Sequence, residues 1–227
     1  MIDATKAARG FSRQQMADRI AQEFQHRWIV NLGIGMPTLC GDADIGARDI
    51  IYHSENGVIG SGRVADLDDI DPNLVNAGGQ HVTLRPYAAI VHHADSFALI
   101  RSGRIDVTVL GAYEAASNGD FANWKMKGHK GGGIGGAMDL AVGAKQVFLM
   151  LDHTTRDGKP RLLAQCALPV TARGVVKLVM TNLGLFEPRG DHFAVREIAP
   201  GYTLDEIRAM TGCPVEPATS YTRGGAT

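Results

Sequence analysis

Short apolar runs recur along the chain, each bounded by polar or turn-forming residues. Residues 28–32 (Trp-Ile-Val-Asn-Leu), 49–53 (Asp-Ile-Ile-Tyr-His), 105–111, 146–151 and 175–182 have the length and β-branched content of buried strands. Residues 82–84 and 88–91 read as two more, and 192–198 alternates as an exposed strand does. Other stretches follow a helical period. Met16, Ile20, Ala21 and Phe24 recur with polar residues between them, behind Ser12 as an N-cap. Residues 94–101 and 204–211 also read as helices, the second capped by Thr203 and closed by Gly212.

Strands therefore alternate with helices, and several end on Gly, Asn or Glu. This pattern predicts an α/β fold: a mostly parallel open sheet covered by helices on both faces, with ligands outside the carboxyl ends of the strands. One domain over residues 11–213 is expected, with 1–10 and 214–227 as flexible tails. The acidic stretch 63–74 carries Asp66, Asp68, Asp69 and Asp71 before Pro72. It lacks the glycine and terminal glutamate of a calcium loop, so it reads as a solvated loop.

Composition narrows the function classes. The 23 basic and 24 acidic residues leave a net charge of -1, with no dominant block of Lys and Arg, so no nucleic-acid partner is expected. No run of about 18 apolar residues occurs and the first residues lack an apolar core, which predicts a cytoplasmic protein with no membrane contact. The three cysteines, Cys40, Cys166 and Cys213, are too sparse for a disulfide framework or a zinc site. His92 and His93, read as neighbours on a strand, point to opposite faces and cannot share a metal, so no metal is expected. Asp152-His153 has no serine elbow to serve and reads as a capped strand end.

Three segments have the chemistry of a site. Ser54-Glu55-Asn56-Gly57 follows an apolar strand, with small residues that leave room for a substrate. Asn56 can hold the carboxylate by hydrogen bonding. A carboxylate stripped of water becomes a competent nucleophile toward an acyl carbonyl. Gly131-Gly132-Gly133-Ile134-Gly135-Gly136 opens a helix, where exposed N–H groups and the helix dipole suit a phosphate or an oxyanion. It satisfies G-x-G-x-x-G but follows no strand, which argues against a dinucleotide. Asn31-Leu32-Gly33-Ile34-Gly35-Met36-Pro37-Thr38 is a glycine-rich strand-to-helix turn, in which Asn31 either faces a site or braces the turn.

Together with Asn76-Ala77-Gly78, residues 94–97 (Ala-Asp-Ser-Phe), residues 119–124 (Gly-Asp-Phe-Ala-Asn-Trp) and residues 135–140, these segments resemble, in order, the β subunit of class I CoA-transferases. The resemblance covers about residues 11 to 212. It implies that Glu55 attacks an acyl-CoA thioester and passes through an anhydride to a glutamyl-CoA thioester. Gly136 and Asn31 would stabilise the oxyanions, and Asn56, Gly135, Gly33, Gly35 and His93 would line the substrate or CoA site. It further implies no permanently bound cofactor, coenzyme A as substrate and covalent intermediate, and a separate α subunit in an α2β2 assembly. The family's usual lysine after Asn-Ala-Gly is absent, since position 79 is glycine. Arg85 and Arg101 are candidate replacements. His81-Val82-Thr83-Leu84 and His92-His93 resemble members that move CoA from succinyl-CoA to 3-oxoadipate more than those that use acetoacetate. An acyl-CoA hydrolase and a non-catalytic ligand-binding relative stay open as alternatives.

Overall fold

The structure is a computed structural model that describes residues 9–126, 128 and 133–223. Among the described residues, thirteen strands and four α-helices follow one another as α1 (Arg13–Ala21), β1 (Ile29–Leu32), β2 (Ile51–Ser54), β3 (Val58–Val64), β4 (Val82–Ile90), α2 (His93–Arg101), β5 (Val107–Gly111), β6 (Glu114–Ala116), β7 (Phe121–Ala122), α3 (Ala137–Gly143), β8 (Val147–Leu151), β9 (Leu162–Leu163), β10 (Val176–Thr181), β11 (Gly184–Pro188), β12 (Phe193–Ile198), α4 (Leu204–Met210) and β13 (Val215–Arg223). A 3-10 helix, Met36–Asp42, follows β1.

Ten strands form one open sheet in the order β13-β12-β11-β10-β8-β5-β1-β2-β3-β4. The central block from β10 to β2 is parallel. Antiparallel strands extend it on both sides. Every side chain of β8 is buried: Val147, Leu149 and Leu151 enter one core and Phe148 and Met150 the other. A strand buried on both faces has no polar alternation, which is why 146–151 reads as a continuous apolar run. The first core takes Ile100 of α2, Leu140 of α3 and Ile207 of α4, and the second takes Met16 and Ile20 of α1. Helices thus cover both faces. Ser12 caps α1 and Thr203 caps α4, each in a reciprocal box with the Gln or Glu three residues on.

Several local expectations need correction. Residues 82–84 and 88–91 belong to one strand, β4, at the sheet edge. His92 and His93 are on no strand: His92 caps α2 and His93 is its first residue. The acidic stretch contains the end of β3 and a 3-10 turn, Leu67–Asp69. β12 is not exposed, because β13 covers its outer edge and Phe193 and Val195 are fully buried. The segment expected to trail loosely after Pro214 is β13 itself, paired in parallel with β12. At the other end, Gly10 N–H donates to the Pro200 carbonyl and Arg9 pairs with Glu206. Residues 1–8 and 224–227 lie outside the described residues. A second, three-stranded sheet, β7-β6-β9, had no signature in the sequence.

Candidate active site

The strands β1, β2, β5 and β8 run in one direction, and their carboxyl ends open into a single cavity of about 470 Å³. Leu32, Gly33 and Ile34 come from the end of β1, Glu55 from the end of β2, Leu110 to Tyr113 from β5 and Met150 with Leu151 from β8. Gly135, Gly136 and Ala137 at the start of α3 close one wall. Arg161, just before β9, contributes a cation.

Glu55 stands at the first position of the tight turn joining β2 to β3. Gly57 N–H donates to the Ser54 carbonyl at 2.9 Å, and Val91 N–H donates to the Gly57 carbonyl at 2.9 Å. Gly57 has φ +117°, and a β-carbon there would strike the Val91 carbonyl oxygen, so only glycine fits. The Ser54 hydroxyl accepts from the Ala77 N–H at 2.8 Å, which ties the 76–79 loop to the same turn. The carboxylate therefore sits on a clamped backbone. Among the described residues no donor bonds to the Glu55 carboxylate, which is half-buried. Burial raises its pKa above the ordinary glutamate value; the Asp139 charge pushes the same way and His93 opposes it.

Gly136 faces this carboxylate. An added β-carbon at Gly136 would overlap Glu55 Oε2 and meet Glu55 Cδ and Phe97 Cζ at 3.0 Å each. No described acceptor takes the Gly136 N–H. Gly135, at φ +52°, and Gly33 line the same cavity. Gly131 and Gly132 lie outside the described residues.

Other expected site residues are placed differently. Asn31 is buried in β1 with its amide already used. Its Nδ2 donates to the His53 carbonyl at 3.2 Å and lies 3.0 Å from His53 Nδ1, while its Oδ1 accepts from Thr108 Oγ1 at 3.1 Å. It braces the strand under Glu55 and does not reach the cavity, which corrects its expected role as an oxyanion donor. The network continues from His53 Nε2 to Ser96 Oγ at 3.0 Å. Burial lowers the His53 pKa to about 4, so His53 is neutral in the fold.

Asn56 is exposed, and its amide donates to the Val75 carbonyl at 2.8 Å instead of holding Glu55. Gly35, at φ +92°, precedes the 3-10 helix and accepts from Thr38 rather than lining the cavity. His93 is exposed, with its ring 4.7 Å from that of Phe97, and reaches Glu55 through its charge alone. Arg85 pairs with Asp49 at 2.9 Å, and Arg101 pairs with Asp139 at 2.8 Å; neither lines the cavity. Gly79 itself adopts φ +76°, a conformation a lysine rarely takes. Arg161 and Tyr113 were not anticipated as cavity residues. They lie far from Glu55 in sequence and carry no local motif.

A doubly covered open sheet, with one carboxylate presented at the carboxyl ends of its parallel strands beside a glycine-opened helix, defines an acyl-group transfer fold. The family model for coenzyme A transferases matches residues 13–210, and the chain belongs to that family. It is 42% identical over 206 residues to the B-type subunit of 3-oxoadipate CoA-transferase from Pseudomonas putida, covering 90% of this chain and 96% of that one. It is 38% identical over 204 residues to the B-type subunit of succinyl-CoA:3-ketoacid coenzyme A transferase from Helicobacter pylori, covering 90% of this chain and 98% of that one. Its fold matches an acyl-CoA transferase (YdiF) of Escherichia coli O157:H7 with a TM-score of 0.72 at 21% identity. That match covers 98% of this chain but only 45% of the longer one, so this chain spans about half its length.

Proposed function

We propose that this chain is the B-type half of a CoA-transferase that moves CoA from succinyl-CoA to 3-oxoadipate through a thioester on Glu55. The observation that carries the reading is a half-buried carboxylate, free of described donors, pressed against Gly136 in a cavity walled by strand ends. The Glu55 oxygen attacks the thioester carbonyl, and CoA thiolate leaves an acyl-glutamyl anhydride. The thiolate then attacks the glutamyl carbonyl and releases the donor carboxylate, leaving glutamyl-CoA. An acceptor carboxylate repeats the sequence in reverse. Each step conserves an activated acyl bond, so water must stay out, and the apolar strand ends serve that need. The Gly136 N–H is positioned to stabilise the oxyanion formed at Glu55.

The relatives are named as one of two kinds of subunit, which supports a separate partner chain, and an α2β2 assembly follows the family habit. Similar identity to the 3-ketoacid enzyme keeps acetoacetate as the competing acceptor. Intact-mass analysis of the assembled complex after incubation with succinyl-CoA alone tests the mechanism. A CoA adduct on this chain, lost in Glu55→Ala, is the expected result. Turnover without the adduct and undiminished in Glu55→Ala would end the mechanism. Faster transfer to acetoacetate than to 3-oxoadipate would end the substrate assignment.

A further inference from the structure

Among the described residues that line the cavity, Glu55 and Arg161 carry the charges, and the walls between them are largely apolar. Arg161 is half-buried, and among the described residues its guanidinium has no ion pair or hydrogen-bond partner. Its backbone is held on both sides: Arg161 N–H donates to the His153 carbonyl and the Ala115 N–H donates to the Arg161 carbonyl, each at 2.9 Å. A cation set on fixed backbone in an apolar wall, without a protein counter-ion, is arranged for an anionic ligand. The planar guanidinium fork matches a carboxylate in two parallel hydrogen bonds. The Tyr113 hydroxyl lies on the same wall and is available as a further donor.

We infer that Arg161 binds the distal carboxylate of a dicarboxylic acyl group while the other end of that group reacts at Glu55. The inference rests on the CoA-transferase reading above and adds its specificity element. It also supplies the cation that position 79 lacks, from a different part of the chain. In the acceptor half-reaction one carboxylate oxygen attacks the glutamyl-CoA carbonyl and expels CoA thiolate. The thiolate then attacks the acyl carbonyl of the resulting anhydride, which releases acyl-CoA and restores the Glu55 carboxylate. Arg161 takes no part in bond-making. It fixes the far end of the substrate, so its loss weakens binding of dicarboxylates and leaves monocarboxylates untouched.

The test uses the complex of this chain with its partner subunit, first charged with CoA on Glu55. The charged complex is discharged with dicarboxylates (succinate and 3-oxoadipate) and with the monocarboxylate acetoacetate. Arg161→Gln is expected to raise KM for the dicarboxylates about 10- to 100-fold, the worth of a lost charge-assisted pair. KM for acetoacetate should stay within about twofold. Arg161→Lys keeps the charge but not the fork, and a smaller, dicarboxylate-specific increase is expected, which protects the test if the glutamine variant folds poorly. Equal losses with both acceptor classes, or no change with either, would overturn the inference. So would a rise in KM for every acyl-CoA alike, which would assign Arg161 to the CoA phosphates. A wild-type complex that never forms the Glu55 adduct would overturn the proposed function and this inference with it. A normal adduct without acceptor discrimination would overturn this inference alone.

Discussion

Gly136 and Glu55 are packed so closely that a single added methyl group on the glycine would overlap Glu55 Oε2. The Gly136 backbone is otherwise permissive, with φ -84°, so alanine introduces no strain of its own. The crowded atom is the far end of a flexible side chain, which can move aside. Gly136→Ala is therefore expected to leave the melting temperature within a few degrees while displacing the carboxylate. Misplacement of about 1 Å costs on the order of 100-fold in rate. Parallel melting curves and steady-state rates check this, and an equal loss of both would mean the glycine serves the fold.

Glu55→Gln preserves shape and removes the nucleophile. We expect a fall in kcat of about 10^4-fold or more, with unchanged thermal stability. Stability is spared because among the described residues nothing bonds to the carboxylate.

The activity should fall on the acid side at a pH above the ordinary glutamate range, because burial and Asp139 both raise the Glu55 pKa. Asp139→Asn removes one raising charge and releases Arg101 from its ion pair. Both changes favour the carboxylate, so the acid limb of kcat/KM for the acyl-CoA should move to lower pH. A shift the other way would show that Asp139 acts on Glu55 by some route other than its charge.

His53 and His153 are buried, each with a pKa lowered to about 4 by desolvation. His153 sits between Thr181 Oγ1 and Thr211 Oγ1, at 3.0 Å from each. Both rings are neutral in the fold, whereas the unfolded chain takes up a proton near pH 6.5. Their contribution is full above the unfolded value and is lost as pH falls from there to the folded value. The loss amounts to about 3 kcal/mol for each ring. Urea midpoints measured between about pH 7 and pH 4 should drop accordingly, and His153→Gln should flatten the profile.

Asn31→Ala should behave as a structural substitution. It leaves His53 and Thr108 without their buried partner, at a cost of about 1–3 kcal/mol. Any fall in rate should accompany that loss of stability, since the amide does not reach the cavity.

The strand β2 and the turn bearing Glu55 were legible because their information is local: an apolar run, then small residues and a glycine at positive φ. The caps Ser12 and Thr203 were legible for the same reason. β13 was not, because its polar sequence acquires a strand conformation only by pairing with β12. The small sheet β7-β6-β9 was hidden likewise, its strands being two or three residues long.

Within the site, Glu55, Gly135 and Gly136 were found from the sequence and do meet at one cavity. Asn31 and Asn56 were misassigned because an amide beside a motif has no direction until its partners are known. The tertiary structure gave those amides to His53 and Val75.

By itself, then, the sequence determined the alternation of strands and helices, the carboxylate at a strand end and the glycines that let α3 approach it. Periodicity, caps and turns act over a few residues and are written in the chain directly. Only the tertiary structure decided which side chains share the cavity with Glu55. It turned Asn31 away, left position 79 without a cation and set Arg161 on the cavity wall. That choice depends on parallel pairing between strands distant in sequence, and no local pattern encodes it.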